Sequence, residues 1–121
     1  MILLHILHEN EHLLLEIAHK LLEEGLVYDA KIIEGVQRLR LDNKRLAGRS
    51  EYFMICKTRA MLYPTIQDKF VHEWQTDPPL ELYAIPVTDS LPGLRAAVFE
   101  NTRQGSENKN APAKGSEALD I

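Results

Sequence analysis

The apolar run at residues 52–56 most constrains the fold of this chain. Its sequence is Tyr-Phe-Met-Ile-Cys, and the charged residues Glu51 and Lys57 close its two ends. A short apolar run of this kind is typical of a strand. A strand with one face in water would alternate apolar and polar residues, and this run does not. Residues 2–7, Ile-Leu-Leu-His-Ile-Leu, have nearly the same character. Both strands are therefore predicted to be covered on both faces.

Capping residues and periodicity predict the other elements. A first helix begins after Asn10, a suitable N-cap, and Gly25 ends it. A second helix begins between residues 60 and 64, because Pro64 is acceptable only in a first turn, and it ends before residues 77–79. The apolar stripes of the two helices are Leu14, Ile17, Ala18, Leu21 and Leu22, and Leu62, Ile66, Phe70 and Trp74. The other predicted segments are an extended segment at 27–41 with a bulge at Gly35, a turn at 42–49, strands at 50–58 and 80–87, and a short helix at 90–100.

This order, β-α-β-β-α-β followed by a short helix, is the ferredoxin-like plan of the α+β class. In that plan the first and third strands lie at the centre of an antiparallel sheet, and both long helices cover one face. The other face of these two strands would then be an exposed apolar patch, which soluble monomers rarely tolerate. The pattern therefore predicts an obligate homo-oligomer in which copies of the chain cover this face. Residues 1–103 are predicted to form this one domain and residues 104–121 a flexible tail.

Charge and cysteine content narrow the function classes. The chain has 121 residues and a net charge of −4, which argues against a nucleic-acid-binding domain with its usual basic surface. The single cysteine, Cys56, cannot form an internal disulfide and is interpreted as a buried apolar residue, so a reducing cytoplasmic setting is expected. No segment approaches the length of a membrane span, and the apolar start lacks the features of a signal peptide.

An ordered set of short motifs resembles the divalent-cation tolerance (CutA) family. Leu-Leu-Glu-Glu at residues 21–24 resembles the end of the family's first helix, and Ile-Ile-Glu-Gly-Val at 32–36 resembles its Ile-Ile-Pro-Gly-Val type of sequence. Lys-Thr at 57–58 and Ala-Ile-Pro-Val at 84–87 resemble the exit of its third strand and its fourth strand. Each motif is weak alone, but together they extend in order over residues 2–103.

The resemblance implies a ferredoxin-like subunit in a tight homotrimer, related in fold to the PII-like signalling proteins. It also implies a cytoplasmic or organellar, non-enzymatic protein associated with copper and other divalent ions. Two features of the family are missing, however. The family's cysteine in the second strand falls at Asp29, and its His-Pro-Tyr-Glu-x-Pro signature falls at residues 74–79, where only Asp77 and Pro79 match. The soft thiolate and the imidazole that could hold copper at those positions are therefore absent.

Histidines near the N-terminus suggest a metal site elsewhere. His12, Glu16 and His19 fall on one face of the first helix at i, i+4 and i+7, and His8 precedes this helix. Such ligands could hold a borderline ion such as Zn²⁺ or Cu²⁺, the one kind of cofactor that the sequence suggests. The alternative is a solvated polar face, and it is favoured because the sequence shows no residues that would orient the ligands.

Charged residues at the strand ends suggest a second kind of site. The resemblance places several of them near clefts between subunits, where PII-like trimers bind small ligands. Paired charges that fix the contact between subunits are the favoured alternative. The residues are Asp29, Lys31, Lys57, Arg59, Asp77 and Glu81.

Three hypotheses about function follow. The first is a CutA-like homotrimer associated with tolerance of divalent metal ions. The second is a PII-like regulatory module that binds a small anionic ligand at subunit clefts. The third is an enzyme of the dimeric α+β barrel kind, which ranks last because the long second strand with Gly35 favours a trimer. No set of residues meets the geometric requirements of catalysis. The basic stretch of residues 38–49 is interpreted as a solvated hairpin.

Overall fold

The computed structural model describes residues 1–104, so the predicted tail, apart from Gln104, lies outside the described residues. The bounds are β1 Ile2–His8, α1 Glu11–Glu23, β2 Asp29–Asp42, β3 Arg45–Thr58, a 3₁₀ turn Ala60–Leu62, α2 Tyr63–His72, β4 Glu81–Pro86 and α3 Pro92–Glu100. The four strands form one antiparallel sheet in the order β2-β3-β1-β4. The predicted ferredoxin-like α+β fold is confirmed.

Helix α1 begins and ends where the capping residues predict. The Asn10 side chain accepts a hydrogen bond from the Leu13 backbone N–H at 3.2 Å, which satisfies one of the free donors of the first turn. Just past the last turn, Gly25 has a φ of 67°, a conformation that glycine adopts without strain. The residues that α1 buries are Leu14, Ile17, Ala18 and Leu21.

The hydrophobic core lies between the helices and one face of the sheet. In β1, Ile2, Leu4 and Ile6 are buried, whereas the residues between them are partly exposed. Met54 and Cys56 of β3 continue the buried layer. Burial therefore alternates along these strands although polarity does not. The second face of β1 and β3 is apolar, and no other element of the described chain covers it.

Helix α2 is shorter than its apolar stripe predicts. Pro64 lies in its first turn, as expected, and Ile66 is fully buried. The helix ends at His72, so Trp74 follows it rather than belonging to it. Trp74 still packs edge-on against Phe70, with the two ring centroids 4.9 Å apart. Neither α2 nor any other helix within residues 1–104 is long and apolar enough to span a membrane.

The prediction of a turn at residues 42–49 is wrong. Only Asn43 and Lys44 form the turn, and both have positive φ (51° and 67°), as in tight two-residue hairpins. Arg45 already begins β3 and pairs with Asp42. The stretch resembles a loop because it is rich in Lys, Arg and Gly, but its backbone is held in strand form by pairing with β2. We name residues 36–50 the arm, since β1 ends before this part of the hairpin and leaves it as a two-stranded ribbon.

A β-bulge at the base of the arm confirms the irregularity predicted at Gly35. The register of β2 on β3 shifts between Ile33, which pairs with Phe53, and Val36, which pairs with Glu51. Three residue steps in β2 therefore match two steps in β3. As a result, the face that carries odd-numbered residues of β2 before the bulge carries even-numbered residues of β2 after it, in the arm.

The bulge makes the substitution Gly35→Ala a test of this backbone conformation. A Cβ at Gly35 would meet nothing within 4 Å, but φ there is 76°, so we expect a loss of about 1 kcal/mol in unfolding free energy. Gly93→Ala is the matched control, because a Cβ there also meets nothing and the residue is helical. Gly93→Ala should leave the unfolding free energy unchanged or raise it by up to about 1 kcal/mol. Urea unfolding at fixed protein concentration measures both, and equal effects would contradict the bulge.

Candidate functional site

The open face is the side of the sheet opposite the helices. Strand pairing arranges its side chains in rows that cross all four strands. In the order β2, β3, β1, β4, the rows are Asp29, Lys57, Leu3 and Ile85; Lys31, Ile55, His5 and Tyr83; and Ile33, Phe53, Leu7 and Glu81. Apolar side chains thus fill the centre of the open face, and charged side chains lie at its margins.

His5 lies at the centre of the open face. Its ring makes edge-on contacts with Phe53 and Tyr83, with centroid distances of 4.8 Å and 5.1 Å. Its Nδ1 lies 3.3 Å from the Tyr83 hydroxyl oxygen. Burial lowers the pKa of His5 below its ordinary value, so the ring is neutral at pH 7. The centre of the open face therefore carries no charge.

An ion pair lies at one end of the open face. Lys57 Nζ donates to Asp29 Oδ2 at 2.9 Å, between neighbouring strands. Arg59 follows directly after β3 and is buried. It donates a hydrogen bond to the Gln104 side chain at 2.7 Å, and its guanidinium carbon lies 5.2 Å from the centroid of the Phe99 ring. Arg59 thus ties this end of the sheet to α3 and to the segment after it.

Arg38 joins two carboxylates at the other end. Its Nε lies 3.1 Å from Glu51 Oε1, and its Nη2 donates to Glu81. Because the Glu51 side chain is only 7% exposed, its charge depends on Arg38 for compensation. The sequence pattern does not reveal this contact, because it places Arg38 in a solvated hairpin. The available signal was an acidic residue directly beside an apolar strand, which needs a basic partner if it is buried.

The residues predicted to line a subunit cleft fall into separate groups. Asp29, Lys57 and Arg59 lie at one end of the sheet, and Glu81 lies at the other, in a row of side chains that is about 13 Å further along the strands at about 3.3 Å per residue. Asp77 is exposed in the segment before β4. Within one chain these residues form no common site. A cleft that includes both groups would have to form between copies of the chain, and it stays a prediction.

His8, one of the predicted metal ligands, is buried and fully engaged. Its Nδ1 accepts a hydrogen bond from the Asn10 backbone N–H at 3.0 Å, so its Nε2 carries the proton. That Nε2 donates to the Pro78 carbonyl oxygen at 2.8 Å. His8 therefore connects the end of β1 to the segment before β4, and both of its ring nitrogens already have partners.

The other three predicted ligands lie on the exposed side of α1. His12, Glu16 and His19 are exposed, and His19 Nε2 lies 3.3 Å from Glu23 Oε2. Within residues 1–104, no group of three or more His, Cys, Asp or Glu side chains is arranged to hold a metal ion. A site formed by His12, Glu16 and His19 would require these side chains to reorient, and it stays a prediction.

Cys56 is buried in the core, as predicted. Burial chiefly, with a smaller contribution from the charge of Asp29, raises the pKa of its thiol to about 12. A thiol with this pKa is protonated at neutral pH and is neither a nucleophile nor a ready metal ligand. The thiol is accordingly part of the apolar packing between sheet and helices.

The arm has a basic side and an apolar side. Its arginines on the open-face side are Arg38, Arg40, Arg45 and Arg49. On the helix side, Leu39, Leu41 and Leu46 are 61%, 75% and 70% exposed. Leu39 lies across Gly48, where a Cβ would come within 3.1 Å of its Cδ2. The half of β2 that belongs to the arm is thus largely exposed on both faces. A two-stranded ribbon with exposed leucines is marginally stable by itself.

An apolar groove lies on the helix side of the sheet, next to β4. Its volume is about 510 Å³. Among the side chains that line it are Tyr63, Phe70, Trp74, Leu80 and Leu82. Strand β4 is an edge of the sheet, so its outer backbone groups have no partner strand in the described chain. The groove and this free edge lie side by side.

Several solved structures with the same architecture are CutA proteins. CutA1 of Ehrlichia chaffeensis matches with a TM-score of 0.73 and 20% identity, over 85% of this chain and 95% of that chain. The divalent cation tolerance protein of Thermus thermophilus matches with a TM-score of 0.71 and 22% identity, over 85% and 100% of the two chains. This chain has the CutA fold. No family model and no curated protein sequence matches it, so the likeness is one of structure.

The CutA fold also extends to a protein described as periplasmic. That protein, from Archaeoglobus fulgidus, matches with a TM-score of 0.69 and 23% identity, over 84% of this chain and 98% of that chain. The resemblance noted in the sequence is therefore confirmed for the fold. At the positions where the resemblance puts the family's cysteine and histidine, this chain has Asp29, paired with Lys57, and Trp74, packed on Phe70.

The lowered pKa of His5 predicts a pH dependence of stability. The unfolded chain binds the His5 proton more readily than the folded chain, so folding stability falls as pH drops through the ordinary value and towards the folded one. We expect His5→Asn to lose less stability than the parent between about pH 7.5 and about pH 5. His19→Asn, at an exposed histidine of α1, is the control and should follow the parent. Parallel urea titrations at several pH values that show no difference for His5→Asn would contradict the prediction.

Proposed function

We propose that this chain is a divergent CutA-type protein that forms a homotrimer and takes part in the response to divalent metal ions, without catalysing a reaction. The observation that carries the proposal is the open face, an apolar sheet surface without cover in the described chain. Structures with the same fold are described as divalent cation tolerance proteins. A cytoplasmic setting fits the single, buried cysteine. Fold alone does not determine function, so assembly and metal binding need separate tests.

Three features of the chain support self-association. The open face has exposed apolar residues, such as Ile33 and Ile85, that are expected to be covered. The arm extends beyond the sheet with its leucines in water. Strands β2 and β4 are the two free edges of the sheet. An edge that pairs with a different edge of the next copy is a head-to-tail contact, and such contacts form a ring when the rotation between copies closes and an open filament when it does not. A ring of three is what the resemblance implies.

In this proposal the arm contacts the outer edge of β4 and the apolar groove of the neighbouring copy. An arm that pairs with the outer edge of β4 would continue that copy's sheet and keep its leucines on the helix side. There they would meet the groove lined by Phe70 and Trp74. The basic side would lie on the open-face side, where β4 carries Glu81. The arm holds five basic residues and one acidic residue, whereas the chain has a net charge of −4, so the rest of the chain is acidic and complements the arm.

Metal binding in this proposal uses other ligands than those of the family. The carboxylate at the family's cysteine position, Asp29, is neutralised by Lys57. The exposed imidazoles and carboxylate of α1 are the accessible donors, and imidazole suits Zn²⁺ and Cu²⁺. The ligands that we propose are His12, Glu16 and His19.

A regulatory module of the PII-like kind is the second candidate, and one observation favours it. Arg59 is buried, and its Nε has no hydrogen-bond partner among residues 1–104. If this end of the sheet borders a neighbouring copy, Arg59 would give a subunit cleft a cation for a small anion, next to the ion pair of Lys57 with Asp29. A thermal-shift screen with nucleotides and other small anions tests this candidate, because a ligand specific to the native state raises the melting temperature.

The assembly proposal predicts that one leucine on the arm matters more than an exposed leucine elsewhere. Native mass spectrometry of the parent should give trimers. Leu41→Glu places a charge in the proposed contact. The protein concentration at which the trimer forms should therefore rise at least about tenfold. Leu15→Glu makes the same change on α1, where the leucine is 52% exposed, and should leave the trimer intact. A monomeric or dimeric parent, or equal effects of the two variants, would overturn the proposed assembly.

The metal proposal predicts uptake of ions by the assembled protein. With Zn²⁺ or Cu²⁺ added, native mass spectra of the parent should show a whole number of bound ions per chain. His12→Ala should abolish the uptake, because it removes one of three proposed ligands. His72→Ala, at an exposed histidine of α2, should retain it. A trimer that takes up no ion would refute the metal part of the proposal and leave the regulatory module as the better candidate.

A further inference from the structure

A polar cleft lies on the helix side of the molecule, away from the open face and the arm. It is formed between the end of α1, the length of α2 and the segment that follows α3, and its volume is about 580 Å³. That volume is within the usual range for small-molecule sites. Glu24, Lys69 and Arg103 are among the residues that line it. The segment after α3 is held in place because the Arg103 backbone N–H donates to the Gly25 carbonyl oxygen at 2.8 Å.

The Arg103 side chain in this cleft is buried, and residues 1–104 do not offer it adequate partners. It is only 9% exposed, yet it donates no hydrogen bond to residues 1–104, and its Nε has no partner there. The nearest carboxylate oxygen, Glu24 Oε1, lies 3.6 Å from Nη2, which is too long for a good hydrogen bond. Arg59 differs, because it donates to Gln104 and lies over Phe99. A buried guanidinium needs acceptors, and a planar carboxylate is the group that its geometry fits best.

Lys69 reduces the negative charge close to Arg103. Its Nζ lies 3.1 Å from Glu24 Oε1 and 3.2 Å from Glu73 Oε2. Burial acts to lower the pKa of Lys69, but the hydrogen bonds to Glu24 and Glu73 outweigh it and raise the pKa above its ordinary value. Lys69 is therefore charged at neutral pH, and it offsets the carboxylate that would otherwise repel an anionic group at the floor of the cleft.

Carboxylates line the rim of the same cleft. The side chains of Asp68 and Glu73 are 66% and 49% exposed, in contrast to the buried Arg103. Asp68 Oδ1 also lies 3.3 Å from His72 Nε2. A simple anion would be repelled at this rim, and a simple cation would be repelled by Arg103 and Lys69. A ligand with one charge of each sign, separated by a short distance, meets a complementary group at both places.

We propose that this cleft binds a small zwitterion of the α-amino-acid class, with its carboxylate on Arg103 and its ammonium group beside Asp68 and Glu73. The acidic rim favours a basic or neutral side chain over an acidic one. The site uses no residue of the proposed subunit contact, and its failure would leave the proposed trimer untouched.

Thermal shift and isothermal titration calorimetry test the proposal, with L-lysine, L-arginine, L-glutamine, L-leucine and L-glutamate as probes. At least one of the basic or neutral amino acids should raise the melting temperature in a concentration-dependent way. Its N-acetyl derivative lacks the ammonium charge, and its α-amide lacks the carboxylate, so each should bind at least about tenfold more weakly. If none of the five binds at millimolar concentration, or the N-acetyl derivative binds as well as its parent, the proposal is wrong.

Variants of the cleft locate the binding. Arg103→Gln should weaken binding at least about tenfold, whereas Arg95→Gln, at an exposed arginine of α3, should not change it. Thr65→Tyr fills the cleft and leaves every charge in place, so it tests the site even if Arg103→Gln does not fold. Binding that survives Thr65→Tyr unchanged in a folded protein would overturn the assignment of the ligand to this cleft.

Discussion

The structure depends on the two central strands of the sheet, β1 and β3, which are apolar on both faces. The helices cover only one of these two faces. Burial of Leu4, Ile6 and Met54 under α1 and α2 provides the core of the single chain. The same strands place Leu3, Ile55 and Phe53 on the open face, where each is only partly buried. Apolar surface of this kind is costly to leave in water. The long hairpin arm and the free edge of β4 gain a physical explanation if they pair between copies and so bring the open faces of those copies together.

Local patterns were sufficient to predict most of the fold. The helix cap at Asn10, the helix end at Gly25 and the bulge at Gly35 each follow from the conformational preferences of one residue. The apolar run at residues 52–56 indicated a central strand because its missing alternation reports burial on two sides. These features depend on short-range chemistry, which a sequence displays directly.

The features that sequence failed to predict depend on contacts between distant residues. The sequence places the start of β3 too late, because Arg45 and its neighbours have poor strand character and form strand by pairing with β2. The contact of Arg38 with Glu51 and Glu81 depends on the register shift at the bulge, which decides the side of the sheet that Arg38 occupies. The cleft at Arg103 joins parts of the chain about eighty residues apart, and no local pattern reveals it.

Two positions that the resemblance assigns to candidate metal ligands of the family carry other chemistry in this chain. At the position of the family's cysteine, Asp29 provides a hard oxygen donor that is already paired with Lys57. A hard oxygen is a poor ligand for a soft ion such as Cu⁺. At the position of the family's histidine, Trp74 packs on Phe70 and lines a groove. Both replacements convert a candidate ligand into a group with a structural contact. The proposed assembly therefore uses surfaces that belong to the fold, whereas the proposed ligand sites use residues of α1 and of the Arg103 cleft, which lie on the helix side.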